Sequence, residues 1–544
     1  MLFTMNNSLI LNIFRISSLL IFMLLFETFT QAQTQRQDPN AGIKKYNAAM
    51  QMINYAYVDT VNDARLVEKA IVETLKELDP HSVYISKKDV QKANEPLEGN
   101  FEGIGVQFEI LKDTITVVHS IPGGPSERLG IMSGDKIVKI DGEVVVGKKI
   151  TNQFVLDHLR GKRGTKVNVS IFRKGKKDLI DYTITRDKIP INSIDAAYMI
   201  RPGLGYINLN KFAQTSMQEF TDAVKLLNSQ GMKNLILDLR NNSGGYMGTA
   251  IELSDEFLGE GKLIVYTKGV HSQREDFYST AKGLCETGKL VIMINENSAS
   301  ASEIVSGAIQ DWDRGIIVGR RSFGKGLVQR PFQLPDSSVI RLTTARYYNP
   351  SGKCIQKSYA EGIDKYYDDF SNRMKHGELV HPDSIKFPDS LKFYTSKKRV
   401  VYGGGGIMPD VFIPWDSTPI SDYYLDLRRK NVINTYVGDY VDKSRKSLKA
   451  SYPEFTTFDR IFMVDDAFME SFFTYAEKEG VKKDEKGYAA SEKLIKSQLK
   501  GLIAQKLWDM TEMYTIINQY DEEVLKAIEV IDDDALYQKL NIDR

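Results

Sequence analysis

Apolar residues recur at helical spacing between positions 40 and 92, with Tyr55, Tyr57, Val67, Ile71, Val72, Leu75 and Leu78 on one side of the pattern. That spacing predicts an N-terminal helical segment whose apolar side is buried. From Phe101 to about Arg186 the pattern becomes one of short β-branched strands, such as Thr114-Ile115-Thr116-Val117-Val118 and Lys166-Val167-Asn168-Val169-Ser170-Ile171, broken by glycine turns. Between about 190 and 415, short apolar runs alternate with helical stretches, the signature of an α/β domain with a mainly parallel or mixed sheet. The run Lys289-Leu290-Val291-Ile292-Met293-Ile294-Asn295, bounded by turn residues, reads as one of its buried strands. Beyond 415 helical patterns dominate, including Ala489 to Lys496 and Ala527 to Ile531. The chain thus divides into a helical segment at 33–97, a β-rich module at 98–186, an α/β core at 187–415 and a helical extension at 416–544. Residues 355–400, rich in Lys, Asp, Tyr and Ser, read as a surface excursion of the core.

The first 32 residues stand apart. Arg15 precedes the run Leu19 to Phe26, and Thr30-Gln31-Ala32 follows with small residues at the cleavage spacing. This is a secretory signal peptide, with a mature chain starting at Gln33. It places the protein in the periplasm or another extracytoplasmic space, attached to the membrane if the segment stays uncleaved. Composition adds little: 42% hydrophobic and 26% charged residues are ordinary globular usage. Balanced charge, 72 basic against 71 acidic residues, gives no footprint for nucleic acid. The two cysteines, Cys285 and Cys354, allow one bridge or two buried thiols. The six histidines include no His-Glu-x-x-His, so no metal site and no cofactor is predicted.

Candidate chemistry lies in two segments. Ser298-Ala299-Ser300-Ala301-Ser302-Glu303-Ile304 follows the buried strand and opens a helix pattern, so Ser300 falls where free N–H groups and the helix dipole favour a developing oxyanion. Phe323-Gly324-Lys325-Gly326-Leu327-Val328-Gln329 puts a lysine among apolar neighbours, 25 positions after Ser300. A serine hydroxyl needs a base to become nucleophilic. A lysine serves only when neutral, which desolvation can achieve by lowering its pKa. A third segment, Asn234 to Gly245, reads as a strand entering a Gly-Gly turn that presents N–H groups without side-chain obstruction. Other readings compete: Ser300-x-x-Glu303 also fits a capping box, Asn-Ser-Gly-Gly is a common turn, and sequence alone leaves a histidine triad with Ser300 open.

Together with Leu78-Asp79-Pro80-His81-Ser82, Leu342 to Tyr348 and Gly405 to Asp410, these segments resemble the carboxyl-terminal processing peptidases, or tail-specific proteases of family S41, over about residues 40–415. The resemblance implies a multidomain α+β protein with a crotonase/ClpP-like α/β serine peptidase core. It implies Ser300 as nucleophile, Lys325 as general base, Gln329 as the residue orienting that lysine, and the N–H groups of Ala301 and Gly245 as the oxyanion hole. The β-rich module resembles a PDZ domain, with Gly103-Ile104-Gly105-Val106 as its carboxylate-binding loop and a groove for substrates with apolar C-termini. His81 reads as a helix-terminal structural residue, and Tyr347 as core or groove wall. The implied activity is a Ser/Lys-dyad endopeptidase that selects proteins by their tails, with the PDZ module as a candidate gate. Its rivals are an inactive or gated PDZ-bearing scaffold and, more remotely, acyl-CoA chemistry on a crotonase-like fold. The helical segments at either end are candidates for contacts with another copy or an adaptor.

Overall fold

In the computed structural model, residues 38, 40–121, 123–280 and 283–543 are described. The signal segment expected at 1–32 lies outside them. The described residues up to Glu77 form a unit of their own, containing the helices Ala41–Ala56 and Asp63–Lys76. The second helix is capped by Asn62, whose side chain accepts the Arg65 N–H at 3.0 Å. The apolar stripe of these two helices is not buried as the periodicity predicts: Tyr55 is 93% exposed and Tyr57 62%, while Leu75 is buried. Two short helices enclose too little volume to cover a full stripe.

The core of the second unit is a six-stranded sheet in the order Ile194–Arg201, Leu204–Leu209, Asn234–Asp238, Leu290–Ile294, Ile316–Gly319, Val411–Phe412. Its first pair is antiparallel and the rest parallel. Every residue of Leu290–Ile294 is buried, as a strand covered on both faces requires. Alternate side chains go opposite ways. Leu235, Leu237, Leu290, Ile292 and Ile294 meet the helices Ser216–Ser229, Met247–Asp255 and Ala301–Asp311. Ile236, Val291, Met293, Ile316 and Val318 instead meet Val524, Ala527, Val530 and Ile531 of the helix Glu522–Asp532. The end of the helical extension therefore covers one face of the core sheet.

A second, antiparallel sheet holds Val83–Ile85, Val339–Tyr348, Leu263–Lys268 and Glu275–Tyr278, with Leu327–Gln333 paired to Val339–Tyr348. The β-rich module is a separate sheet ordered Val106–Leu111, Thr114–Ser120, Lys136–Ile140, Lys166–Phe172, Ile180–Thr185, with Glu143–Val144 on Lys136–Ile140. Its entering and leaving strands, Asn100–Gly103 and Asp187–Pro190, pair with each other. The rest of the helical extension packs around an aromatic-rich core that includes Tyr436, Phe458 and Phe472. It also leans on the β module: Asn431 donates to Glu109 at 3.3 Å and Ser133 to Asp442 at 3.4 Å.

Residues 355–400 are more than the surface excursion expected from their composition. Ile355, Tyr366 and Arg373 are buried, and Arg373 Nη1 donates to the Ser322 carbonyl at 2.9 Å, behind the segment that carries Lys325. Just before this stretch, Lys353 is fully buried and pairs with Asp311 at 2.6 Å while donating to Gln310 at 3.0 Å. Removing one partner of a buried ion pair strands the other. Lys353→Ala is therefore expected to cost about 3–5 kcal/mol in denaturant unfolding, and Lys353→Met combined with Asp311→Leu to recover most of it.

Candidate active site

The strand Leu290–Ile294 delivers the chain to a loop that is laced to the turn after the neighbouring strand Asn234–Asp238. Asn241 N–H donates to Asn295 Oδ1 at 2.9 Å, Ala299 N–H to the Asn242 carbonyl at 3.0 Å, and Ser302 Oγ to that carbonyl at 2.8 Å. Ser298 Oγ donates to the Leu239 carbonyl at 2.8 Å. These bonds bring the Gly-Gly turn against Ser300. A Cβ on Gly244 would lie 2.9 Å from Ser300 Cβ and 3.0 Å from Ala301 N, so only glycine permits the approach.

Ser300 itself sits at φ 56° and ψ −111°, immediately before the helix Ala301–Asp311. A positive φ in a non-glycine residue is strained and must be held by its surroundings. The glutamate half of the Ser-x-x-Glu capping box is formed, Glu303 Oε2 accepting the Ser300 N–H at 2.8 Å, while the Glu303 N–H donates to the Ser300 carbonyl at 2.8 Å. The capping and chemical readings of this segment are thus compatible. Glu303 also reaches the second segment: Oε1 accepts from Ser322 Oγ and, at 2.7 Å, from Gly324 N–H, while Oε2 accepts the Lys325 N–H at 2.9 Å. Burial pushes the Glu303 carboxyl up, and these four donors oppose that shift. The Tyr347 hydroxyl, also buried, lies 3.1 Å from the Ser300 carbonyl and 2.8 Å from that of Lys325. One carboxylate and one phenol therefore join both segments.

Lys325 lies between Gly324, at φ +90°, and Gly326, where an added Cβ would come within 2.9 Å of the Gln356 nitrogen. Burial lowers its pKa below the ordinary lysine value, and the Arg341 guanidinium lowers it further, against the pull of Glu303 and Asp79. Its Nζ donates to Gln329 Oε1 at 3.0 Å, and Gln329 Nε2 donates to the His81 carbonyl. Asp79 fixes that turn by accepting the N–H groups of His81 and Ser82 at 2.8 and 2.9 Å. The His81 ring faces away to the Tyr366 hydroxyl at 2.7 Å, and burial brings its pKa down to about 4. His81 thus supports the site through its backbone, and no histidine lines the cavity described next.

Ser300, Lys325, Gln329, Gly244, Gly245 and Tyr347 share a cavity of about 440 Å³ with Ile304, Leu327 and Arg341. Among the described residues, the N–H groups of Gly245 and Ala301 donate no hydrogen bond, whereas that of Gly244 is taken by Asn242 Oδ1 at 2.9 Å. In the β module, Ile104, Gly105 and Val106 line a groove of about 200 Å³ with Phe108, Val155 and Leu159. It runs between the strand Val106–Leu111, whose outer edge is unpaired in its sheet, and the helix Asn152–Leu159. Gly103 ends the strand leading into this loop, and Ile104 and Gly105 leave their N–H groups undonated among the described residues.

Family models match this chain in order along its length: the activating protease CtpB N-terminal domain at 24–89, a PDZ domain at 103–184, peptidase family S41 at 203–367, and a family of unknown function at 423–509. The carboxy-terminal-processing protease of Bartonella bacilliformis is 34% identical over 350 residues, which cover 63% of this chain and 78% of that protein. The chain belongs to the carboxy-terminal processing proteases of family S41. The carboxy-terminal processing protease CtpA of Bacillus subtilis is 34% identical over 314 residues, 58% of this chain and 66% of its own length. Among solved structures, the photosystem II D1 C-terminal processing protease aligns with 68% of this chain and 92% of its own at 24% identity, with a TM-score of 0.35. This processing protease is a serine-type peptidase with a PDZ domain, and its layout of N-terminal helices, PDZ module, α/β core and C-terminal helices is the one expected from the sequence.

Two members of this protease's site escaped the sequence reading: Glu303 as the link between segments, and Tyr347 as a second link. For Glu303 the capping box was legible, but not its partners Ser322, Gly324 and Lys325, which lie 19 to 22 positions on. Glu303→Ala leaves four donors without their acceptor, so its stability in denaturant titration is expected to fall by at least about 2 kcal/mol. Glu303→Gln, which keeps one acceptor oxygen, should lose less; an Ala variant as stable as the parent would contradict the assignment.

Proposed function

We propose that this processing protease is an endopeptidase working through a Ser300/Lys325 dyad. The observation that carries the proposal is the convergence of a strained Ser300, a desolvated Lys325 and the undonated Gly245 N–H on one cavity, with the undonated Ala301 N–H next in the chain to Ser300. Neutral Lys325 takes the Ser300 hydroxyl proton as Oγ attacks the peptide carbonyl, and the Ala301 and Gly245 N–H groups receive the resulting oxyanion. The lysine passes that proton to the departing amine. Water, deprotonated by the same lysine, then attacks the ester, and the lysine returns that proton to Ser300 Oγ as it leaves, restoring both groups. Gln329 keeps the amine oriented from its anchor on the His81 carbonyl. Lys325 is bonded to Gln329 and not to Ser300 among the described residues, so substrate binding would tighten the Ser300 to Lys325 contact, as is common in unliganded enzymes.

Selection would occur at the PDZ groove. A protein tail adds to the free edge of Val106–Leu111, its carboxylate meets the Gly103-Ile104-Gly105-Val106 loop, and its last apolar side chains fill the groove. The helix Val90–Glu98 touches both places: Glu95 pairs with Arg160 at the groove, while Val90, Asn94 and Leu97 line the cavity. That contact makes the PDZ module a candidate gate. The segment 1–32 would export the chain, with cleavage after Ala32, and the enzyme would work outside the cytoplasm. No helix among the described residues is long and apolar enough to cross a membrane.

Cleavage of an unstructured protein with an apolar C-terminus tests the dyad: Ser300→Ala and Lys325→Ala should each lower kcat by roughly 10³-fold or more. Turnover at the parent rate by either variant would refute it. Because burial lowers the Lys325 pKa, the fraction of neutral lysine, and kcat/KM with it, should rise with pH and level off below the ordinary lysine value of about 10.4. Leu156→Lys in the groove should raise KM for long substrates with apolar tails and leave the hydrolysis of short peptides unchanged.

A further inference from the structure

The cavity wall carries two basic side chains, Lys325 and Arg341, and no carboxylate. Burial drives Lys325 toward its neutral form, which leaves Arg341 as the fixed charge. Arg240, Arg320, Arg321, Arg373 and Arg399 each hold a carboxylate. Other buried or half-buried arginines without a carboxylate partner, Arg186, Arg314 and Arg445, donate to backbone carbonyls instead. Arg341 forms no ion pair with any described residue; Nη2 reaches only the neutral Asn94 Oδ1, at 3.4 Å. Most of its five-donor fork therefore makes no hydrogen bond to a described residue, and such a fork on a cavity-lining residue matches a carboxylate.

Its place in the ladder puts it near the scissile bond. Gln329 pairs with Thr343, and Pro331 with Arg341. Arg341 is thus two strand residues, about 7 Å, from the partner of the glutamine that holds Lys325. An extended substrate covers that distance in about two residues. Ile85, Leu97, Leu327, Val339 and Pro331 make the neighbouring wall apolar, which excludes water and strengthens a charged contact.

We propose that Arg341 is a specificity-determining residue that takes a substrate carboxylate within about two residues of the cleaved bond. That carboxylate comes either from an acidic side chain flanking the cut or from the chain terminus itself when the cut falls near the end. The inference rests on the cavity being the peptidase site, and it is independent of tail selection at the PDZ groove.

The test uses the full-length protein and a peptide set in which Glu or Gln occupies each of three positions on either side of the cleaved bond, each made with a free or an amidated C-terminus. At one position the parent enzyme should prefer Glu over Gln by roughly tenfold or more in kcat/KM. If the carboxylate is terminal, the same preference appears for free acid over amide. Arg341→Gln should bring the ratio to about one, Arg341→Lys should keep part of it, and Arg341→Glu should invert it toward the Gln peptides. Ratios within one variant cancel any common change in rate from the altered field at Lys325. Kd ratios for the same peptides on Ser300→Ala read the subsite without turnover, so a failure of the dyad reading leaves this measurement standing. A parent ratio near one at every position and terminus, or a ratio that survives in Arg341→Gln, overturns the proposal.

Discussion

One buried carboxylate governs the geometry of the site. Glu303 receives the backbone N–H groups of Ser300, Gly324 and Lys325 and the Ser322 hydroxyl, so the two segments bearing the proposed nucleophile and base share an anchor. A dyad assembled from two sheets needs such a part. Ser300 follows a strand of the six-stranded sheet, whereas Lys325 precedes a strand of the antiparallel sheet. The anchor also holds Ser300 at its positive φ, a strain that the surrounding contacts must offset. An ionised carboxylate near Lys325 raises the lysine's pKa, and the site meets that cost through desolvation and the Arg341 field.

The same logic extends outward. Asp238, at the end of the strand leading to the Gly-Gly turn, pairs with Arg240, and Arg240 pairs with Asp521 and Glu523 at the start of the last long helix. Arg320 joins Glu523 to Glu296 in the loop before Ser300. The helical extension thereby bonds to the Gly-Gly turn directly and to the loop before Ser300 through Arg320, while its other end touches the PDZ module. A chain whose far C-terminus covers its own core sheet gains rigidity where preorganised N–H groups matter most.

Much of this was legible in the sequence, for identifiable reasons. The all-buried strand before Ser300 announces itself as an uninterrupted apolar run, and Gly324, Gly244 and Gly245 mark places where backbone must approach backbone. What stayed hidden depends on contacts between distant segments. Gln329 finds the His81 carbonyl 248 positions away, and Arg240 finds Asp521 across 281. No local period encodes either. The stretch 355–400 looked like surface because its Arg373 and Lys357 are charged; their pairing with nearby Asp369 and Glu378 is local, but their burial and the bond from Arg373 to the Ser322 carbonyl show only in the fold. The N-terminal stripe erred in the opposite sense: apolar spacing gave the helices but not what covers them.

The most direct test of the central claim is covalent. A serine-directed acylating probe is applied to the parent protein and to Lys325→Ala across a pH series, and the modified residue is located by mass spectrometry. The account predicts a single adduct at Ser300, with a labelling rate that climbs with pH and levels off below the ordinary lysine range, and no labelling of Lys325→Ala on the same timescale. Labelling at another serine, or labelling of Ser300 that proceeds equally without Lys325, would contradict it.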